Sequence, residues 1–117
     1  MSAVSVEEVD FEESVRRAVA ALPPDLARAL SNLEIAIDDE PPRRGVLGLY
    51  RGVPLTRRTS GYVFALPDLI TIYRGPIERL YGRDPAVLER EIRRVVLHEI
   101  AHHFGISDER LRELGAY

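Results

Sequence analysis

The sequence predicts an α+β fold in a single domain, residues 1–117, with helices at both ends of the chain and strands between them. Three observations support this. Apolar residues recur at helical spacing near the N-terminus, one segment alternates apolar and polar residues as a half-buried strand does, and a long apolar helix lies near the C-terminus. A chain of this length can bury one sizeable core.

The N-terminal helix is predicted over residues 7–22. Its apolar residues Phe11, Val15 and Val19 share one helical face, and the following pair of prolines ends the run. Asp10 is expected to cap the helix, with Glu13 as its capping-box partner. A short turn is predicted around residues 25–30.

Three segments are predicted as strands. Leu33–Asp38 alternates apolar and polar residues with period two. Residues 46–53 are strand-like, and their glycines Gly48 and Gly52 indicate a bulge or a close backbone approach. Residues 68–75 are rich in β-branched and aromatic residues and are bounded by proline on both sides, which makes them the strongest strand of the three.

The longest helix is predicted to begin at Pro85, with Asp84 as its N-cap, because proline is favoured at the first helical position. It continues to Phe104, and Gly105 is expected to end it in a left-handed conformation. A last short helix is predicted over residues 108–114. The predicted order is therefore one helix, three strands and two helices.

Composition and charge limit the partners and the metal ligands that this chain can have. The net charge of −3 argues against nucleic acid or an anionic membrane as the main partner. No run of apolar residues is long enough to span a bilayer, and the N-terminus lacks the pattern of a secretion signal, so we expect a soluble, cytoplasmic protein. The sequence has no cysteine. Any bound metal must therefore use nitrogen and oxygen ligands.

The end of the long helix carries a possible zinc site. His98 and His102 are four residues apart, so they lie on one helical face, one turn from each other. Glu99 lies about 100° around the helix axis, where it can reach a water molecule held at the metal without being a ligand itself. This HExxH spacing is typical of zinc peptidases, with two nitrogen ligands and a general base. Most other residues of this helical end are apolar, so a buried carboxylate here needs a nearby cation.

A third ligand is predicted from the residues that follow. Gly105 lets the helix end, so that the chain can turn back under the metal and Asp108 can supply a carboxylate oxygen. The complete string is HExxHxxGxxD, from His98 to Asp108. It is considerably more specific than HExxH alone.

Several alternatives remain open at this point. Ser107 or Asp108 can instead cap the last helix, and Asp108 can do both through separate oxygens. Glu109 and Glu113 are rival ligands. His103 lies on a different helical face and is expected to be a core residue.

With this motif the chain resembles the zincin metallopeptidases, and among them the small mini-zincin group of bacteria. The segment HEIAHHFGISD matches the HExxHxxGxxD pattern of that group, and "GVLGLYRGVPLTRR" and "LPDLITIYRGPIERLYG" are similar to its strand segments. The resemblance implies a minimal zincin-like fold that binds Zn²⁺, with an N-terminal helix, a small mixed sheet of three to four strands, the active-site helix and a short C-terminal helix. It implies that His98, His102 and Asp108 are zinc ligands and that Glu99 is the catalytic base.

The chain also departs from larger zincins. Asp108 stands where their extended motif has a third histidine, and Met1 is the only methionine, so no methionine-containing turn underlies the site. Only nine residues follow Asp108, so the lower half of the usual substrate cleft is expected to be almost missing. A zinc peptidase is the leading hypothesis. A zinc-binding module that acts as a protein-interaction domain, with little or no turnover, is the alternative from another functional class, and a metal-free helical core is the third.

The expected partner is a peptide or protein substrate. It is expected to pair with an exposed edge strand beside the active-site helix. The residues proposed for this edge belong to the third predicted strand; they are Leu69, Ile70, Thr71, Ile72 and Tyr73. These residues can instead simply be part of the core. Tyr73, Arg74 and Tyr117 are candidates, by residue type only, for stabilising the oxyanion.

Overall fold

The structure is a computed structural model, and it describes residues 10–30, 32–52 and 68–115. These residues form five helices and three strands. In chain order they are α1 (Phe11–Ala20), α2 (Pro24–Arg28), β1 (Leu33–Asp38), β2 (Gly48–Arg51), β3 (Asp68–Tyr73), α3 (Arg74–Tyr81), α4 (Pro85–Phe104) and α5 (Asp108–Glu113). The α+β prediction is confirmed.

The three described strands form a mixed sheet in the order β1-β3-β2. Strand β1 is parallel to β3, with Leu33 opposite Asp68, and β2 is antiparallel to β3, with Tyr50 opposite Ile70. The prediction that residues Leu69–Tyr73 form an exposed edge is wrong. They belong to the central strand, whose backbone is paired with β1 on one side and with β2 on the other, and Ile70, Ile72 and Tyr73 are buried in the core.

Helix α4 holds the fold together, since it contacts α1, α3, α5, β2 and β3. Its predicted bounds are confirmed. The side chain of Asp84 accepts hydrogen bonds from the backbone N–H groups of Ala86 and Val87, and Pro85 occupies the first helical position. Ten of its residues are buried, and all but Glu99 and His103 are apolar. The site residues therefore belong to the most buried helix of the fold.

The N-terminal helix is shorter than predicted. It begins at Phe11 because Asp10 accepts a hydrogen bond from the N–H of Glu13, as the capping prediction required. It ends at Ala20, and residues 7–9 of the prediction lie outside the described residues. Its buried residues Phe11, Val15 and Ala18 face α4 across the core.

Helix α3 was not predicted. The third strand was predicted to run to Gly75, but it ends at Tyr73 and the helix begins at Arg74, so Pro76 lies in its first turn. Proline is tolerated there because backbone N–H groups of the first turn have no intrahelical partner. Ile77 of α3 is fully buried, so tertiary packing contributes to this helix as well as local preference. None of the helices in the described ranges is both long and apolar enough to cross a membrane.

Candidate metal centre

Two imidazoles and one carboxylate meet on the last two turns of α4. The ring centroids of His98 and His102 are 4.5 Å apart, with their planes at 62°. Nδ1 of His102 is 3.2 Å from Oε1 of Glu99, and Nε2 of His98 is 4.0 Å from Oε2 of the same carboxylate. One potential ligand atom from each of the three residues lies within 4.8 Å of the others. The helical spacing of four residues has thus brought the two rings together, as predicted.

The carboxylate of this group is buried, whereas the two imidazoles are partly exposed. Glu99 is 5% exposed, whereas the side chains of His98 and His102 are 41% and 49% exposed. The carboxylate therefore lies at the base of a site whose nitrogen donors face the solvent. A ligand or substrate can approach the two imidazoles from outside, while the carboxylate is held from below by the core.

Burial raises the pKa of the Glu99 carboxyl, because the charged form loses hydration. The imidazoles of His102 and His98 partly oppose this rise, and Asp108 adds to it. A buried carboxylate is costly unless a cation or several hydrogen bonds compensate its charge. The two nitrogen donors and the carboxylate oxygen are a donor set that a zinc ion accepts. The residues present therefore fit a divalent cation.

Strand β2 closes one side of Glu99. A Cβ atom placed on Gly48 would lie 3.0 Å from Cγ of Glu99 and 3.0 Å from Cγ1 of Val95. The sequence indicated a close backbone approach at this glycine, and the partner of that approach is the candidate base itself. Glycine at position 48 lets the strand backbone lie directly against the Glu99 side chain.

The chain turns back at Gly105, as predicted. This residue adopts a left-handed conformation with φ of 73°, and its N–H donates to the carbonyl of His102. Ser107 then caps α5 by accepting a hydrogen bond from the N–H of Arg110. The open question of which residue caps the last helix is thereby decided in favour of Ser107.

Asp108 points to the site rather than along its own helix. Its two carboxylate oxygens lie 2.8 and 3.0 Å from Nδ1 of His98. Among the described residues, His98, Glu99 and His102 have potential ligand atoms within 4.8 Å of one another. Asp108 does not belong to this group. Of the two rival acids, Glu109 is exposed, and Glu113 pairs with Arg110 at 3.1 Å. Among these acidic residues, the contact to His98 is made by Asp108.

The third histidine belongs to a separate buried cluster. Nδ1 of His103 lies 2.8 Å from Oδ2 of Asp68, and both residues are 1% exposed. The hydroxyl of Tyr50 donates to the same carboxylate oxygen. His103 is therefore a core residue, as predicted. Its partners in β3 and β2 were not foreseen, since no local pattern relates residues so distant in sequence.

The candidates for oxyanion stabilisation gain no support. Tyr73 is buried at the N-terminus of α3, and the guanidinium of Arg74 lies 3.5 Å from Asp39, next to the carboxyl end of β1. Tyr117 lies outside the described residues.

Comparison with known families matches residues 30–116 to the zincin-like metallopeptidases. The match covers most of the chain, and it includes all three strands and the site on α4. A family of this kind implies a bound metal ion, which agrees with the donor set of His98, Glu99 and His102. No curated protein matches the chain.

Proposed function

The chain belongs to the zincin-like metallopeptidase family, and on that basis we propose that it is a zinc-dependent peptidase that hydrolyses peptide bonds. His98, His102 and Asp108 would hold the zinc ion, and Glu99 would be the general base. The observation that supports this best is the buried Glu99 carboxylate, which lies against two solvent-facing imidazoles.

The chemistry depends on a proton acceptor close to the metal. A bound zinc ion supplies Lewis acidity, which polarises a carbonyl and makes a water molecule acidic enough to lose its proton near neutral pH. With zinc bound, the Glu99 carboxylate would accept that proton and would later deliver it to the leaving amine. Its buried position and the backbone of β2 at Gly48 restrict its side chain to one region, which favours proton transfer along one path.

Asp108 completes the proposed ligand set. Its carboxylate contacts His98 in the structure, which places an acidic group beside one of the two imidazoles that would hold the ion. Ser107 caps α5 and thereby leaves the Asp108 side chain available for the site. A carboxylate is an established alternative to a third histidine in catalytic zinc sites.

The substrate is proposed to be a peptide or protein that binds in an extended conformation along β2. This strand lies at one end of the three described strands, and Gly48 places its backbone against Glu99. An extended peptide beside such a strand gains main-chain hydrogen bonds, and alternate side chains supply specificity. It would then present a scissile carbonyl next to the metal.

One experiment tests the proposal. Zinc content is measured by elemental analysis, and peptide cleavage with a peptide library, for the wild type, His98→Ala and Glu99→Gln. We expect Glu99→Gln to keep zinc and lose cleavage, and His98→Ala to lose both. Wild-type protein that holds zinc but cleaves nothing would instead favour a zinc-binding interaction module. Wild-type protein that takes up no metal would contradict both.

A further inference from the structure

A cluster of three residues, the His103–Asp68–Tyr50 cluster, joins the last turn of α4 to the sheet. Oδ2 of Asp68, the first residue of β3, accepts a hydrogen bond from the Tyr50 hydroxyl and lies 2.8 Å from Nδ1 of His103. The rings of Tyr50 and His103 also meet edge to face, with centroids 5.9 Å apart. The Asp68 oxygen therefore contacts both Tyr50 and His103, whose rings also contact each other. The three residues come from β3, β2 and α4.

Two residues of the cluster lie in the interior, and Tyr50 is partly buried. Asp68 and His103 are each 1% exposed. In the described part of the chain, Nε2 of His103 has no hydrogen-bond partner, so Nδ1 makes the polar contact of this ring. Apolar residues of the same volume often stabilise a core as well as a buried polar group does. What directional hydrogen bonds add is a defined orientation of the helix on the sheet.

This orientation bears directly on the metal centre. His103 follows His102, and α4 ends one residue further on, at Phe104, with Gly105 as its C-cap. The last turn of a helix frays readily because its carbonyl groups lack intrahelical partners. His98 lies one turn earlier, so the relative position of the two imidazoles depends on whether the last turn is held in place. The contact between His103 and Asp68 holds this last turn from its buried side.

The same cluster links the metal centre to β2. Tyr50 is two residues from Gly48, the residue that lies against Glu99. Its hydroxyl is fixed to the carboxylate that also contacts His103. One oxygen atom of Asp68 thus contacts both α4 and β2.

We propose that the His103–Asp68–Tyr50 cluster positions the metal centre. It holds the last turn of α4 and strand β2 in a fixed relative position. His102 thereby stays close enough to His98 and Glu99 for the three side chains to surround a cation. This inference rests on the proposed function, because it assigns the cluster a role toward the metal. The three residues are positioning residues that act through α4 and β2.

The test compares two tyrosine variants that each lose one hydroxyl. Tyr50→Phe removes a hydrogen bond of the cluster, whereas Tyr81→Phe removes a hydroxyl that contacts Arg94 in the middle of α4, away from the metal centre. Zinc affinity is measured by competition with a chelator, the absorption spectrum of the Co²⁺-loaded protein reports ligand geometry, and thermal unfolding reports stability. We expect Tyr50→Phe to weaken zinc binding about tenfold, the lower end of the effect of groups that orient metal ligands, and to alter the Co²⁺ spectrum. Tyr81→Phe should change neither.

A pair of substitutions at position 103 separates positioning from stability. His103→Ala should weaken zinc binding more than Tyr50→Phe does, and His103→Asn, which keeps an N–H donor near Asp68, should recover most of the loss. A Tyr50→Phe protein with a lower unfolding temperature but wild-type zinc affinity and Co²⁺ spectrum would overturn the positioning role alone. Wild-type protein that binds neither Zn²⁺ nor Co²⁺ would overturn the proposed function and this inference together.

Discussion

The carboxylate of Asp108 lies 2.8 Å from Nδ1 of His98, although a helix end and a reversal of the chain separate the two residues. Helix α5 is short and is capped by Ser107, so its first residue is free to face back toward α4. The contact brings an acidic group to the imidazole of His98. It is the tertiary relationship on which the proposed third ligand depends.

Asp108→Asn is expected to lower zinc affinity by roughly 10- to 100-fold, because an amide is a poorer metal ligand and a weaker partner for the His98 ring. Chelator competition measures the change. Glu109→Gln is the matched control, since it neutralises the adjacent exposed acid in the same turn of α5 and should leave affinity unchanged. Equal affinities of the two variants would exclude Asp108 from the metal centre.

Gly105→Ala is expected to destabilise the protein by about 1–2 kcal/mol, because a side chain strains the left-handed conformation at φ of 73°. Gly105→Asn should cost less, since asparagine tolerates that region better. Urea unfolding measures both. The turn also places Asp108, so zinc affinity should fall in the same order as stability. An alanine variant as stable as wild type would show that this turn does not require glycine.

Gly48→Ala is expected to reduce kcat roughly tenfold, since displacing a catalytic group by less than 1 Å is enough to slow catalysis. The added Cβ would lie 3.0 Å from Cγ of Glu99, so this side chain must shift to make room. Zinc content should remain that of the wild type, because the imidazoles are not displaced. Adding Val95→Ala relieves the second close contact but leaves the first. Full recovery of kcat in the double variant would show that Val95, and not Glu99, carries the effect.

Glu99→Gln is expected to stabilise the metal-free protein at neutral pH. Burial raises the pKa of Glu99 above its ordinary value, so the folded state loses stability as the pH rises from the ordinary pKa to the raised one, and the loss is complete above the raised pKa. Glutamine removes that charge. His98, His102 and Asp108 lie around position 99 in both proteins. The quantity to compare is therefore the difference between the unfolding free energies of the two proteins, measured as a function of pH.

That difference should be largest above the raised pKa and should disappear below about pH 4, where Glu99 is protonated in both the folded and the unfolded state. Chemical denaturation in the presence of a chelator measures it. A stability difference that does not change with pH would mean that the Glu99 carboxyl titrates as it does in water.

Elements set by local pattern were predictable. The period-two alternation identified Leu33–Asp38 as a strand, and Asp84, Pro85 and Gly105 fixed both ends of α4, because caps and turns depend on a few neighbouring residues. The same holds for the shared face of His98 and His102, which follows from helical geometry alone. These features required no knowledge of the rest of the chain.

Strand order and helix α3 were not predictable in this way. The β-branched and aromatic residues of Asp68–Tyr73 predict a strand but not which strands pair with it, so its central place in the sheet was missed. The Gly75-Pro76 pair is compatible with both a loop and the first turn of a helix, and burial of Ile77 favours the helix. Pairing and burial are decided by contacts between distant residues.

The sequence by itself determined that His98, Glu99 and His102 meet, since their spacing on one helix dictates which side chains come together. Only the tertiary structure decided what surrounds them. It placed Gly48 against Glu99, Asp108 against His98, and Asp68 with Tyr50 against His103. The physical reason is that helical geometry acts over a few residues, whereas these contacts form only when α4 packs against the sheet and the chain turns back at Gly105.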